Sequence, residues 1–553
     1  MKRISIFLII SFFSSQLIAQ NTVGLLSYNP EKTSEGYNLL YAHNQENVYL
    51  LDNCGEIVHT WVDSIYKPGN TAFILNNGDL IRTGGRGPAS NMHIHAGGGG
   101  EMVERRNWDG DLLWRYFYND SLNRMHHDIA ILPNENILVL AWEKKSREEA
   151  IEAGRDTTKL TENELWPEHI IELKPIGTDS AEIVWRWNVW DHLIQDFDST
   201  KENYGVVADH PLRIDINYDN NDGKADWLHA NSIDYSPDMD QILLSIPYFN
   251  EIWIIDHSTT TEEAATSSGG LCDYGGDLMY RWGNPQAYQK GDSTDQKLFF
   301  QHDAHWLDLN LPNTDPNFGK IGIFNNRVDD SYSKIGVLNP FFDDYSCKYT
   351  FTNTFQPNDL DWSYVHPDTN KMYTRGLGGL QRLENGNTLI SSGRQGYIFE
   401  IDNANEIVWE YEVPLIAGNP VAQGTTPNPG QNLIFRTYRY PINYDGFSGK
   451  DLSKKGYLEL DPDTVFCQNI IGTDEYEVTP NYSILPNPVS SHFYIDFKDN
   501  KTTHSIKVYN LRSQLIYEDI TSENHQKITC NQWEPGVYIV RIDEVSTSKI
   551  VKL

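Results

Sequence analysis

One pattern recurs through the middle of this sequence: a strand-like run, a tight turn built on Asn, Gly or Pro, then a second strand-like run. It reads AFILNNGDLIRTGGR at 72–86, AILPNENILVLAWE at 130–143, IDYSPDMDQILLSIPY at 233–248 and LQRLENGNTLISSGR at 380–394. A longer-turned variant runs from Trp306 through Leu311 to Arg327. Asn-Gly and Pro-Asn turns between apolar alternations are hairpin signals. A second element with an aromatic end follows several copies: EIVHTW (56–61), DLLWRY (111–116), EIVWRW (182–187), LMYRWG (278–283) and EIVWEY (406–411). One hairpin cannot bury its apolar face alone, so repeated four-strand units must stack on one another. The repeats predict an all-β fold, a six-bladed β-propeller with little helix. Segments 144–170 and 188–226 fall between units and are expected as loops on one face, the charged stretch 144–155 forming a solvated helical insert.

The two ends differ from this body. Lys2 and Arg3 precede an apolar run at 4–13, and 14–19 offers a cleavage region ending at Ala19. That run is too short to span a bilayer, so 1–19 reads as a secretory signal peptide rather than an anchor. No later run is long and apolar enough to predict a membrane span. From 478 onward, short alternating strands at 493–497, 505–509, 514–517 and 537–542 are divided by polar turns. They predict a small C-terminal β-sandwich at 478–553 and leave 20–477 as the propeller. Five cysteines remain, Cys54, Cys272, Cys347, Cys467 and Cys530, an odd number with no CxxC spacing. Export permits disulfides. A bridge from Cys54 to Cys467 would close a circular fold; buried or free thiols are the alternative.

The chain carries 44 Lys+Arg against 77 Asp+Glu, a formal net charge of −33. The acidity belongs to residues 20–477, which hold 34 basic and 69 acidic side chains. Such a surface repels nucleic acid and anionic bilayers, so neither is an expected partner. Any anionic substrate needs a local basic site.

Registering the hairpins supplies one. His127, His229 and His302 each lie four residues before Ile131, Ile233 and Trp306, at one frame of the first strand. Arg86, Arg327 and Arg394 end TGGR, FNNR and SSGR on the returning strands. A hairpin pairs its first and last residues, so the His end and the Arg end fall on the same side of a sheet. In a propeller the innermost strands line a central channel, and these six residues are expected to ring one mouth of it. His93, His95, His126, His305 and the glycines at 97–100 are further candidates nearby. Imidazole serves as nucleophile, base or acid, and guanidinium matches the oxygens of an oxyanion.

The strings DWLHANSIDYSPDMDQILLS, NEIWIIDHSTTTEEAA, YRWGNPQAY, LFFQHDAHWL and GLQRLENGNTLI, in that order, resemble the bacterial arylsulfate sulfotransferase family over residues 25–450. The resemblance implies a six-bladed propeller that moves a sulfuryl group from a small aryl sulfate to a phenolic acceptor. It implies a ping-pong route through a sulfohistidine, with no 3′-phosphoadenylyl sulfate donor, no cofactor and no metal. Carried over by motif, the nucleophile is His302 in QHDAH, supported by His127 in HHD and His229 in WLHANS. Arg394, Arg327, Arg86, His305 and His126 are the expected substrate-binding residues. The family's sulfate-binding arginine falls at Pro247 here, so another arginine must supply that charge or the activity differs. In the tail, LPNPV at 485–489, PGVY at 535–538 and the terminal SKIVKL resemble the type IX secretion C-terminal sorting domain. That implies export through periplasm and outer membrane to the surface or medium, with the secretion machinery as partner.

Two other functions fit the same residues. Three imidazoles facing one channel could hold Zn²⁺, Mn²⁺ or Fe²⁺, though neighbouring arginines oppose a cation. A non-catalytic propeller could bind a sulfated or acidic ligand, a reading that Pro247 favours. The acidic stretch 215–226 reads as a solvated turn, because Tyr218 occupies the first ligand position of a Ca²⁺ loop.

Overall fold

A computed structural model of the protein describes residues 21–85, 93–307, 314–467, 482–498, 503–510, 514–543 and 546–553. The expected signal peptide and Arg86 lie outside them. The chain forms two compact units, residues 1–467 and 468–553, and the expected boundary at 477/478 also falls outside the described residues.

In the first unit the hairpin repeats become six successive sheets, each led by an inner strand. Those inner strands are Tyr438–Tyr440, Lys67–Ile74, Asn123–Ile131, Ser232–Ser236, His302–Trp306 and Gly379–Arg382. Each sheet is antiparallel with four strands, and the last gains a fifth. The chain ends close the ring twice: Tyr438–Tyr440 pairs with Tyr37–Leu40 in the first sheet, and Gly24–Tyr28 pairs with Ile407–Glu412 at the outer edge of the last. A disulfide between Cys54 and Cys467 adds a covalent closure. Cys272 pairs with Cys347, leaving Cys530 buried and free. The fold is a β-propeller.

The recurring tryptophans have one structural job. Trp61, Trp114, Trp187 and Trp282 lie at fourth strands, and each donates its indole N–H to a backbone carbonyl of the following sheet: Asn107, Ser180, Gly276 and Pro357, at 3.1, 2.7, 2.7 and 2.6 Å. Trp409 donates to Asn53 at 2.7 Å, linking the last sheet back to the first. A buried indole must place its N–H somewhere, and the next sheet's turn provides the acceptor.

Carboxylates do the same work along the channel. Asp128 Oδ2 accepts from the Ile233 N–H at 3.3 Å, Asp234 Oδ2 from Trp306 at 2.7 Å, and Asp303 Oδ2 from Leu380 at 2.9 Å. Arg436 reaches across, bonding Asp303 at 2.9 Å, Asp128 at 2.6 Å and the Thr71 hydroxyl at 3.3 Å. Four inner strands or their flanks are thus tied to one buried guanidinium.

The insert at 144–155 contains the expected helix, Arg147–Glu152, capped by Ser146 and Glu149. The second unit is a sandwich of a three-stranded and a four-stranded sheet around Phe493, Ile495, Ile506, Val508, Val540 and Ile550.

Candidate active site in the channel

The inner strands are not regular where the histidines sit. Pairing of Asn123–Ile131 slips around His127, and that of His302–Trp306 slips between His302 and His305. His127, His229 and Asp303 take left-handed backbone, with φ of 49°, 57° and 54°. That conformation costs a non-glycine residue about 1–2 kcal/mol and persists where its surroundings over-determine it. Here the surroundings are explicit: the His127 N–H donates to the Gly98 carbonyl at 2.8 Å, and Asp303 is held by Arg436 and Leu380. The bulges aim the imidazoles at one another. The His127 and His229 rings are 4.7 Å apart, and the Phe435 ring lies 6.2 Å from His127 and 6.4 Å from His302.

Each ring is fixed through Nδ1. The Asn326 amide donates to the Thr374 and Leu377 carbonyls at 3.1 and 2.7 Å, so its Oδ1 is left to accept. His302 Nδ1 lies 2.8 Å from that oxygen and therefore carries the proton, leaving the lone pair on Nε2. Burial, with lesser contributions from His229 and Arg327, pushes the His302 pKa down to about 3. The ring is a neutral base whose Nε2 has no hydrogen-bond partner among the described residues.

His229 is the opposite case. Burial opposes its charge, but Asp226, whose carboxylate is 2.6 Å from Nδ1, outweighs that and raises its pKa. It is the imidazole of the three best able to hold a positive charge.

His127 belongs to a chain. Its Nδ1 lies 2.9 Å from His126 Nδ1, and His126 Nε2 lies 2.7 Å from Glu168 Oε2. Burial lifts the Glu168 pKa well above the carboxylate range and drops both histidines well below theirs. One assignment that fits these directions has protonated Glu168 donating to His126 Nε2, His126 Nδ1–H donating to His127 Nδ1, and the His127 proton at Nε2. Trp142 stacks on His126 at 3.7 Å and holds its plane.

Arg327 stands over the Phe300 ring at 3.9 Å, with Nε donating to the Arg375 carbonyl at 2.8 Å. Its charge opposes protonation of both His229 and His302. Tyr248, next to Pro247, packs 5.0 Å from His229 and 5.9 Å from Phe300.

The expected ring is therefore brought together in part. His127, His229, His302, His126 and Arg327 assemble. His305 does not join them: three residues past His302, beyond the slip in pairing, it lines a cavity with Asp303, Asp234 and Trp306. Arg394 is exposed on the turn after Ser392, its guanidinium near Gly430 and its backbone N–H 3.4 Å from the Thr374 hydroxyl. Arg86 falls outside the described residues. Among the described residues no group of three or more His, Cys, Asp or Glu side chains is placed to hold a metal ion. Phe249 is fully buried among Tyr218, Trp227 and Trp253.

Sequence reasoning missed Asn326, Asp226 and Glu168. Asn326 had a signal, since it precedes Arg327 in FNNR. Asp226 also had one, three residues before His229 in a stretch read as a solvated turn. Glu168 had none, because its strand meets the histidines only through sheet pairing.

A β-propeller with imidazoles and a guanidinium at its channel is the class of protein that fold and site define. A family profile described as Arylsulfotransferase (ASST) matches residues 16–415. The chain belongs to that family, whose membership supports arylsulfotransferase activity. A second profile, Secretion system C-terminal sorting domain, matches residues 483–553 and marks the protein for export to the cell surface or secretion by the type IX system. Among the described residues no helix is long and apolar enough to cross a membrane. A search of curated proteins finds no match.

Solved structures align only loosely. A Bacteroides caccae protein of unknown function is 11% identical, covering 73% of this chain and 99% of its own, with TM-score 0.38. A streptogramin B lyase is 11% identical over 72% and 86%, with TM-score 0.32. A putative 6-phosphogluconolactonase from Bacteroides fragilis is 9% identical over 74% and 98%, also at 0.32. Nothing further rests on these likenesses.

Proposed function

We propose that the protein transfers a sulfuryl group from an aryl sulfate to a phenol through a sulfohistidine at His302. The observation that carries this reading is the Asn326 hydrogen bond, which leaves a neutral imidazole with a free Nε2 lone pair in a channel shared with His127, His229 and Arg327.

In the first half-reaction the Nε2 pair attacks sulfur, the N–S bond forms, and the S–O bond breaks with its electrons on the departing aryl oxygen. That oxygen takes the His127 Nε2 proton. His127 recovers one at Nδ1 from His126, which recovers one from Glu168, leaving a carboxylate. In the second half-reaction an acceptor phenol gives its proton to His127 Nε2, the chain runs back to Glu168, and the phenolate oxygen takes sulfur from His302. Charged His229 and Arg327 hold the sulfuryl oxygens, Arg327 providing from the neighbouring sheet the charge absent at Pro247. A fixed donor at a developing charge is typically worth about 2.7–4 kcal/mol.

His302→Ala tests the reading by transfer from 4-nitrophenyl sulfate to phenol. Loss of transfer with unchanged folding supports it, and full transfer by the variant refutes it. Pro247 itself favours a second reading, a propeller that binds a sulfated ligand without turnover. Saturable aryl sulfate binding with no phenol released would favour that one.

A further inference from the structure

Apart from the histidine cluster, the inner strands line a chamber on the side where the inner hairpins turn. It is a cavity of about 800 Å³, within the range of about 300–1,000 Å³ usual for small-molecule sites. None of His127, His229 or His302 lines it. The Arg436 bridge to Asp128 and Asp303 contributes to its wall, and those two carboxylates follow His127 and His302 directly in sequence. The histidine cluster and this chamber therefore share the same strands.

The lining chemistry of the chamber differs from that of the histidine cluster. Its charged side chains are Asp128, Glu135, Asp234, Asp238, Asp303 and Arg436, with His305 beside them. Arg436 is matched by Asp128 and Asp303, and Glu135 is paired with Arg105 at 2.8 Å. Asp234 and Asp238 have no ion-pair partner among the described residues. Asp234 uses its oxygens on the backbone N–H groups of Tyr235 and Trp306, at 2.9 and 2.7 Å; burial raises its pKa, and His305 and these hydrogen bonds oppose that rise. Around these acids stand aromatic rings, including Trp306, Tyr235, Tyr438 and Tyr444. A cavity that combines uncompensated carboxylate with aromatic faces repels a sulfate ester and suits an organic cation, by charge and by cation–π contact. A bare metal ion is a poor fit, because no three ligating side chains among the described residues are placed to hold one.

We propose that this chamber is a binding site for an organic ammonium compound with an aromatic or apolar body, separate from the sulfuryl-transfer site. The site does not depend on the transfer chemistry.

The test is calorimetric titration of the purified full chain with phenethylamine, and with 2-phenylethanol as a neutral analogue of the same body. Saturable binding of the amine, at least about tenfold tighter than the alcohol, is expected. Asp238→Asn, on an exposed turn, should weaken amine binding about tenfold, the size expected when a roughly 1.4 kcal/mol charge contribution is removed. His302→Ala should leave it unchanged, which separates this site from the proposed nucleophile. Equal binding of amine and alcohol, no saturable binding, full amine affinity in Asp238→Asn, or loss of amine binding in His302→Ala would each overturn the assignment.

Discussion

Gly98→Ala tests whether the Gly-rich loop sets the position of a reacting imidazole. Gly98 has φ +77°, and a Cβ added there would lie 2.0 Å from His127 Nε2, 2.1 Å from Cε1 and 2.4 Å from Cδ2. Carbon needs roughly 3.5 Å from such atoms, so the ring must retreat by more than ~1 Å. The retreat cannot occur without disturbing the 2.9 Å contact between His127 and His126, and the whole proton chain ends at that contact. Misplacing a reacting group by about 1 Å costs about 10²-fold in rate. The left-handed backbone adds about 1–2 kcal/mol of destabilisation. The expected result is a fall of about 100-fold in kcat/KM for 4-nitrophenyl sulfate and phenol, with a melting temperature lowered by only a few degrees. A variant that keeps wild-type kcat/KM would refute the placement of His127 against this loop.

The proton chain predicts that Glu168→Gln, which retains an N–H to donate to His126 but no transferable acid proton, lowers kcat by about 10²–10⁴-fold. The loss should be larger with phenyl sulfate than with 4-nitrophenyl sulfate, whose leaving oxygen needs less protonation; equal losses would remove Glu168 from the proton path. At the edge of two sheets, burial works against the charge on His257, yet Asp240 at 2.7 Å and Glu172 at 3.0 Å lift its pKa from 6.5 to about 9. Its stabilisation is fully present below about pH 6.5 and lost as pH rises through about 9. The melting temperature should fall over that window in the native chain, and the fall should be smaller in His257→Gln; identical profiles would contradict the latch. Replacing Cys54 and Cys467 together by alanine should cost about 2–5 kcal/mol by freeing the ring closure, read as a lower melting temperature with transfer at 25 °C retained.

The sequence made the sheets legible because their signals are local. Asn-Gly and Pro-Asn turns sit within each hairpin, and the aromatic-ended strands mark fourth strands whose indoles reach the next sheet. The His127, His229 and His302 frame was legible for the same reason, since each precedes its own hairpin. The arginines fared worse. Strand pairing fixes the face on which a residue ends, but not its side chain's contacts: Arg394 is exposed near Gly430 while Arg327 stays over Phe300. His305 failed because the pairing slip that follows His302 leaves it lining the hairpin-side chamber instead. What was illegible is the support of each ring. Asn326, Glu168 and Arg436 lie 24, 42 and 308 residues from the groups they bond, and only the closed ring of sheets brings them there.

The most direct measurement is mass mapping of the full-length protein after incubation with 4-nitrophenyl sulfate and no acceptor. A sulfuryl group on the peptide containing His302, absent in His302→Ala and discharged on adding phenol, is the predicted result. Release of 4-nitrophenol with no adduct on His302, or an adduct that phenol does not remove, would contradict transfer through this imidazole.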